Sequence, residues 1–172
     1  MKIHLRPVEL KDGRTIVNWR NDPLVRAHCR SHNPITEEIN ERFFHDFVET
    51  GKYRQYMVER IDEDYYVFSY SIATIYLKDI DYTTKSAELC LFTSNDREWN
   101  AESQTLAIQR ILEIAFDELK LQTVNSYVFN RFIKEAEVLK QFGFSLDCEN
   151  KDNLLKDEDV IKFSLIYNDW KK

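Results

Sequence analysis

The sequence predicts an α/β fold of the α+β kind, with about four helices and a mixed, mostly antiparallel central sheet of about seven strands. Seven short segments are separated by polar breaks, and four longer segments carry helical periodicity or capping signals. The breaks at 62–64 and 79–84 indicate hairpins, which make the neighbouring strands antiparallel. Because the chain has no internal repeat and no Pro/Gly-rich linker, we expect one domain over residues 1–172.

The first part of the chain is interpreted as a strand followed by two helices. Residues 3–7 form the strand, and a helix over 8–20 ends before Asn21-Asp22-Pro23, because proline excludes the helical conformation at the residue before it. Thr36 is predicted to cap the second helix, which begins within 34–38. A spacing of four places an aromatic stripe of that helix on the core, formed by Ile39, Phe43 and Phe47.

The middle of the chain is interpreted as three strands and the strongest helix of the molecule. The strands are predicted at 53–60, 65–77 and 85–93. The helix is predicted over 103–119, since one of its faces is apolar with a period of 3.6 residues. That face consists of Ala107, Ile108, Ile111, Leu112, Ala115 and Leu119.

The last part of the chain contains a strand, a helix and a closing hairpin. The strand is predicted at 123–129 and the helix at 132–141, with Gly143 as its left-handed cap. The closing strands and the acidic loop between them are predicted at 144–148, 160–167 and 149–159.

Net charge and cysteine content narrow the possible functions. A formal net charge of −6 argues against a nucleic-acid partner, which would require a basic face, and mildly against an anionic membrane surface. The N-terminus has no apolar signal core, and no apolar run approaches the length that spans a membrane. Cys29, Cys90 and Cys148 form no CxxC pair, so we expect a reduced, cytoplasmic protein.

The most informative segment is a strand over 87–92 that leads through a turn at 97–100 into the long helix. A helix N-terminus presents unpaired N–H groups and the positive end of the helix dipole, which is where proteins hold phosphate. This segment resembles the cofactor-binding centre of the GNAT N-acetyltransferases, whose pattern is approximately AELGIFI…WGKGYGTEA. The predicted element order also resembles the GNAT order over the full length.

Further segments carry the same resemblance. Residues 5–12 are similar to the opening strand and turn of the family, and Asn130 with 141–144 resembles its N…EKLGF segment. The motif WRNDP…R…PIT, over 19–36, resembles that of the branch of ribosomal-protein, polyamine and amino-sugar acetyltransferases. It is closest to the motif of the amino-sugar enzymes of the pseudaminic-acid pathway. On this resemblance the acceptor is held by Trp19, Arg20, Asn21 and Arg26.

The coenzyme A loop of the family, R/Q-x-x-G-x-G/A, corresponds here to residues 97–102. Both glycines, which let backbone N–H groups approach a diphosphate, are replaced, by Asn100 and Glu102. A carboxylate about 4 Å from a phosphate would cost roughly 1–4 kcal/mol. Either the loop binds acetyl-CoA with weakened affinity or in an altered pose, or it survives only as a connector. The cofactor-binding residues that the resemblance implies are Leu91, Phe92, Thr93, Arg97, Trp99, Asn100, Ala101, Glu102, Ser103, Gln104, Thr105 and Asn130.

Two residues are candidates for the proton transfers that acetylation of an amine requires. Glu88 lies where several family members carry a base, although it also fits a solvent-facing strand carboxylate. The position of the family's acid tyrosine is Leu139, so Tyr127 on the following strand is the substitute candidate, with a core-edge aromatic as the alternative. Cys90 is interpreted as a buried thiol. The segment 28–32 has the two histidines of a metal site, but an acceptor-side loop fits it better and no metal is predicted.

Two functional hypotheses follow from the resemblance and the altered loop. The first is an N-acetyltransferase that uses acetyl-CoA and a small primary amine, for which a nucleotide-linked amino sugar is one candidate. The second is a catalytically silent GNAT-fold binding or regulatory protein, suggested by the simultaneous loss of the loop glycines and the tyrosine. The resemblance also implies a homodimer. Neither nucleic acid nor membrane is an expected partner.

Overall fold

The computed structural model describes residues 2–62, 68–92, 94–147 and 160–170. Within these residues, seven strands form one sheet in the order β1-β2-β3-β4-β5-β7-β6. Neighbouring strands are antiparallel except β4 and β5, which are parallel, so the predicted fold class is confirmed. The strands are β1 (Lys2–Pro7), β2 (Arg54–Asp62), β3 (Phe68–Asp81), β4 (Ser86–Phe92), β5 (Thr123–Phe129), β6 (Ser145–Leu146) and β7 (Val160–Ile166).

The described part of the chain also forms six α-helices, two short ones more than the sequence predicts. They are α1 (Gly13–Asn21), α2 (Pro23–Ala27), α3 (Glu37–Phe43), α4 (Ala101–Glu113), α5 (Ile133–Gln141) and α6 (Tyr167–Trp170). A 3₁₀ turn precedes α1, and wider π-helical turns continue α3 and α4, at Leu10–Asp12, Phe44–Val48 and Ile114–Glu118. No helix in this part of the chain is long and apolar enough to cross a membrane.

The first helix begins later than the predicted residue 8, because Asp12 organises the turn before it. The Arg6 guanidinium donates to both Asp12 carboxylate oxygens, at 3.0 and 2.9 Å, and the Glu9 amide donates to the same carboxylate at 2.8 Å. Arg6 Nε also donates to Glu59 Oε1 on β2 at 2.7 Å. These bonds turn the chain sharply out of β1, and the helix starts only after the turn.

The helix α1 ends at Asn21, one residue after the end predicted from Pro23, and the same proline opens α2, which the sequence interpretation missed. The Asp22 carboxylate accepts hydrogen bonds from the amides of Leu24 and Val25 at 2.8 and 3.4 Å. Pro23 occupies the first helical position. A backbone N–H at this position has no acceptor within the helix, so proline loses no hydrogen bond there. Asp-Pro is a helix start as well as a helix stop.

The predicted cap of α3 is confirmed, but its predicted core stripe is wrong. Thr36 Oγ1 accepts the Ile39 amide at 3.2 Å. Ile39 is 41% exposed, and Phe43 and Phe47 are half-buried. The two phenylalanine rings pack against Tyr53, with centroid distances of 5.4 and 5.0 Å. This segment therefore contributes a small aromatic cluster around Tyr53 instead of the predicted core stripe.

The long helix has the predicted buried face but begins two residues before the predicted start. Ala107, Ile108, Ile111, Leu112 and Ala115 are buried, whereas Leu119 lies half-buried just after the helical segment. Asn100 caps the helix, so the first helical residue is Ala101. The predicted start at Ser103 did not take this cap into account.

The hairpin and cap predictions hold with small shifts. The strand β3 runs to Asp81, past the predicted 77, with an irregularity at Asp79, which has a φ of +50°. Gly143 has the predicted left-handed conformation, with a φ of +89°, and comes after Phe142, the residue that caps the end of α5. Residues 65–67 of the predicted third strand, Cys148 and the acidic loop at 149–159 lie outside the described residues.

Helices pack on both faces of the sheet. The larger core joins one face to α4, α5 and α6, and includes Val58, Phe116 and Leu139. A smaller cluster on the opposite face joins Met57 to α1, through Ile16, and to the π-helical turn after α3. Because neighbouring residues of a strand point to opposite faces, adjacent positions of β2 serve the two clusters.

Candidate active site

The parallel strands β4 and β5 separate shortly after they start to pair. In the described residues their backbone pairing covers Ser86↔Thr123, Ala87↔Val124 and Glu88↔Asn125. The Ser126 hydroxyl donates to the Leu89 carbonyl oxygen at 3.1 Å, which bridges the strands where regular pairing has ended. The remaining residues of both strands border an opening in the middle of the sheet.

A cavity of about 220 Å³ lies at this opening. Its wall combines residues of β3, β4 and β5 with Arg20 from α1 and with the loop that follows α2. The polar side chains of most interest are those of Arg20, Arg30, Tyr76, Lys78, Glu88 and Tyr127. Both predicted proton-transfer candidates, Glu88 and Tyr127, therefore line one cavity, and their catalytic roles stay predictions.

Glu88 projects into the cavity and is held between two cations. Its side chain is 12% exposed, forms an ion pair with the Arg30 guanidinium, and accepts from Lys78 Nζ at 3.2 Å. Lys78 is the cross-strand partner of Glu88 in the β3–β4 register. The carboxylate is therefore positioned by partners from two separate segments, unlike an ordinary solvent-facing strand residue.

The Tyr127 ring carries the Arg30 guanidinium above it, 4.6 Å from the ring centroid. This contact is a cation–π interaction. Arg30 thus touches both candidate residues at once, and it is half-buried. The loop after α2 covers the acid and base candidates through this single side chain.

Cys90 and Tyr76 form a low-polarity corner of the cavity. Burial raises the pKa of the Cys90 thiol, and the Cys90 thiol together with burial raises the pKa of Tyr76 well above its usual value. Both groups are therefore protonated at neutral pH. Cys90 Sγ lies 3.4 Å from Glu88 Oε1, where a protonated thiol acts as a weak donor to the carboxylate.

The four predicted acceptor-side residues have different surroundings. Arg20 lines the cavity and donates through Nη2 to the Ser31 carbonyl oxygen. The Asn21 amide group exchanges two hydrogen bonds with the backbone of Ile35, both at 2.8 Å, and so fixes the loop before α3. Trp19 packs against the smaller core cluster, and Arg26 lies half-buried on α2. Contact of Trp19, Asn21 and Arg26 with an acceptor stays a prediction.

The N-terminus of α4 is capped by its own chain at the place where the family has glycines. Asn100 Oδ1 accepts from the amides of Glu102 and Ser103, at 3.0 and 3.3 Å. In return the Ser103 hydroxyl accepts from the Asn100 amide at 2.9 Å. Amides at a helix N-terminus are groups that proteins use to hold phosphate, so a diphosphate at this terminus would compete with the Asn100 side chain.

Other predicted cofactor residues surround this cap. Trp99 is 7% exposed and belongs to the core, whereas the Arg97 side chain is 93% exposed. Gln104 and Thr105 are half-buried on the first turns of α4, where Thr105 Oγ1 donates to the Ala101 carbonyl oxygen.

The remaining predicted cofactor residues lie at the ends of β4 and β5. Leu91 lines the cavity, Phe92 ends β4, Asn130 is exposed after β5, and Thr93 lies outside the described residues. Their contacts with a cofactor stay predictions.

Sequence reasoning missed Arg30 and Lys78 as partners of Glu88. Lys78 could have been found by assuming the register of the β3–β4 hairpin, since opposite charges then face each other. Arg30 had no comparable signal, because its loop approaches from a distant part of the chain. The neighbouring His28 binds Glu135 through Nδ1 and stacks on Phe132 at 3.7 Å, which ties the loop to α5.

Comparison with known proteins agrees with this architecture. A family model described as an acetyltransferase (GNAT) domain matches residues 2–145. The acetyltransferase PseH of Campylobacter jejuni is 24% identical over 139 residues, which cover 81% of this chain and 80% of that protein.

Solved structures with the same fold include the spermidine N-acetyltransferase of Vibrio cholerae in complex with CoA and spermine. It has a TM-score of 0.83 and 18% identity, over 99% of this chain and 98% of that one. A dodecameric form of the same enzyme gives a TM-score of 0.74 with 19% identity, over 95% and 93% of the two chains. Since the family model covers most of the sequence, the chain is an enzyme of the GNAT acetyltransferase family.

Proposed function

We propose that this protein transfers the acetyl group of acetyl-CoA to the primary amine of a small acceptor. The observation that carries the proposal is the opening between β4 and β5, with Glu88 and Tyr127 on one cavity at its edge. An extended thioester fits between separated strands, where backbone groups not engaged in the sheet can bond to it. The reacting carbonyl would then lie beside both side chains.

The proposed chemistry divides two proton transfers between these residues. The acceptor ammonium loses a proton to Glu88, directly or through water, and the free amine attacks the thioester carbonyl. A C–N bond forms, the C–S bond breaks, and the Tyr127 hydroxyl protonates the leaving thiolate. The nitrogen loses a second proton as the amide forms, which restores the Tyr127 hydroxyl, and Glu88 releases its proton to solvent. The net products are an amide, coenzyme A and one proton.

The structure of the α4 N-terminus supports weak or displaced binding of the diphosphate. Asn100 occupies two amides of that terminus, and Glu102 adds an exposed carboxylate to its first turn. We expect the thioester arm in the opening between the strands to supply more of the binding free energy than the diphosphate does.

The acceptor is proposed to be a small amine held near Arg20. The resemblance over 19–36 makes a nucleotide-linked amino sugar the first candidate, and the polyamine of the Vibrio cholerae neighbour is the second. The catalytically silent alternative is not favoured, since the matched family and the PseH relative are acetyltransferases. A cytoplasmic homodimer completes the proposal.

Incubation with isotope-labelled acetyl-CoA and a panel of amino sugars and amines tests the proposed function. Mass spectrometry should detect a labelled N-acetyl product in an amount equal to the coenzyme A released. Binding of acetyl-CoA without labelled product from any amine would instead support the silent alternative.

A further inference from the structure

The cavity is rich in cations although the protein as a whole is acidic. Among the described residues, Arg20, Arg30 and Lys78 line it, against the carboxylates of Glu88 and Glu135. The whole chain carries a formal net charge of −6. A cleft whose charge is opposite to that of the surrounding surface concentrates ligands of the complementary sign. The charge pattern therefore points to an anionic component of the ligand.

The charges in the cavity are paired with one exception. Glu88 binds Arg30 and Lys78, and Glu135 binds His28. Lys78 Nζ also lies 3.8 Å from the exposed Asp79 carboxylate. Arg20 faces no carboxylate in the salt bridges of the described chain, so its positive charge is available to a ligand.

Arg20 also has an unused donor. Its Nη2 donates to the Ser31 carbonyl oxygen, whereas Nη1 is buried and has no hydrogen-bond partner in the part of the chain that the structure describes. Burial of a guanidinium N–H without an acceptor is unfavourable. Arg20 and Tyr76 also line a second, apolar cavity of about 170 Å³, so the guanidinium lies between two open spaces. The Nη1 group itself has almost no exposed surface, so a bound oxyanion reaches it only when the guanidinium rotates toward one of these cavities.

We propose that the acceptor amine carries an anionic group, a carboxylate or a phosphate, which Arg20 binds while the amine lies at Glu88. This inference rests on the proposed function. A planar guanidinium suits both kinds of oxyanion. Arg20 and Glu88 line the same cavity of about 220 Å³, so one small molecule can contact both side chains. A polycationic amine would instead place a second ammonium beside Arg20 and Arg30, where like charges repel.

Matched pairs of acceptors test the inference on the unmodified protein. Leucine is compared with isoamylamine, which lacks only the carboxylate, and a uridine-diphosphate-linked amino sugar is compared with the free amino sugar. Spermidine serves as the polycation, and release of coenzyme A is followed. We expect kcat/KM to be roughly 10- to 100-fold higher for the anionic member of at least one pair. The pair that shows the preference identifies carboxylate or phosphate as the group recognised.

Two substitutions of Arg20 test whether this residue causes the preference for anionic acceptors. Arg20→Gln should raise KM for the anionic acceptor and remove the preference, leaving the Kd of acetyl-CoA unchanged, and Arg20→Lys should restore part of it. The control is Arg14→Gln, an exposed arginine on the same helix. Persistence of the preference in folded Arg20→Gln would contradict the inference.

Failure of the inference is distinguishable from failure of the proposed function. Equal rates within both pairs, or a preference for spermidine, overturn the inference but do not contradict the proposed acetyltransferase activity. An absence of amine-dependent release with every acceptor overturns the proposed function and the inference together.

Discussion

At the scale of single residues, the proposed mechanism depends on the environment of Glu88. The carboxylate contacts one cation from the loop after α2 and one from the neighbouring strand. The proposed proton acceptor is therefore in direct contact with two cations. A substrate ammonium that enters the cavity must share Glu88 with Arg30, so acceptor binding is coupled to the position of that loop.

The first prediction concerns the base. Glu88→Gln removes the proton acceptor with almost no change in shape, and general base catalysis contributes about 10²–10⁴-fold. We expect kcat to fall by about that factor, while the Kd of acetyl-CoA in calorimetry changes little. A kcat within about twofold of the parent would remove Glu88 from the mechanism.

The second prediction concerns the acid. Tyr127→Phe keeps the ring beneath the Arg30 guanidinium and deletes only the hydroxyl. We expect kcat to fall about tenfold or more, with an unchanged melting temperature, because the leaving thiolate loses its proton donor. If kcat is unchanged, the hydroxyl has no role in the reaction and Tyr127 serves only to position Arg30.

Sequence reasoning at this scale identifies residues but not their partners. The family resemblance identifies Glu88, at the position of the base in several members, and Tyr127, as a substitute for the acid tyrosine. Arg30 is 58 positions before Glu88 in the chain, and only the path of the loop after α2 brings the two together. Arg20 was identified as an acceptor residue, yet its unpaired Nη1 depends on packing that no local pattern shows.

At the scale of elements, the start of α4 is where the molecule differs most from its family pattern. The glycines of that pattern leave amides open to phosphate, whereas Asn100 here closes two of them with its side chain. The loop has replaced part of a ligand site by a helix cap. Asn100 has a φ of −111°, so its backbone does not require glycine.

The third prediction tests whether the Asn100 cap weakens binding of the diphosphate. Asn100→Gly should lower the Kd of acetyl-CoA by about tenfold, since two amides become available to the diphosphate. The loss of helix stability should be only a few tenths of a kcal/mol, because glycine is itself an acceptable cap. Isothermal calorimetry measures the first quantity and thermal unfolding the second.

The control for this substitution is Asn100→Asp, which keeps the cap and adds a negative charge. It should raise the Kd, and the increase should shrink at high salt. If both substitutions leave the Kd unchanged, the diphosphate does not bind at this helix.

The fourth prediction concerns the link between β1 and α1. Burial opposes ionisation of Asp12, but hydrogen bonds from the Arg6 side chain and the Glu9 amide keep the pKa of Asp12 below its usual value. Because this pKa is lowered on folding, the stabilisation is present above about pH 4 and is lost as the pH falls through the folded value. Asp12→Asn should reduce the free energy of unfolding by roughly 2–3 kcal/mol at pH 7.

Urea unfolding of the parent and of Asp12→Asn, at pH 7 and below pH 3, provides the measurement. The difference between the two proteins should narrow at the acidic pH. A difference that is constant with pH would show that Asp12 acts through packing alone.

At the scale of the whole molecule, the order of the strands and of the four longer helices was predictable, whereas the two short helices α2 and α6 and the element boundaries were not. Hairpins and the apolar face of α4 are local patterns, so the sheet and its main helix follow from the sequence. The start of α1 depends on Arg6 reaching Asp12 and Glu59 together, which is a long-range contact. The burial of Ile39 was not predictable either, since its apolar spacing predicts a buried side chain and the structure leaves it 41% exposed.

The charge of the whole molecule also bears on its substrate. An acidic protein slows the approach of free anions, so the cationic cavity must act at short range, within roughly one Debye length of about 8 Å at physiological salt. Selection of an anionic amine therefore depends on direct contact with Arg20 instead of long-range steering.

The most direct test of the central claim is a thermal-shift titration of the unmodified protein with acetyl-CoA. If acetyl-CoA binds in the opening between β4 and β5, the melting temperature rises and saturates. At about 100 times the Kd the gain is roughly 2.7 kcal/mol, or about 5–10 °C for a chain of this size. A melting temperature that does not change at millimolar acetyl-CoA would contradict the claim, because the altered α4 terminus would then have abolished the site.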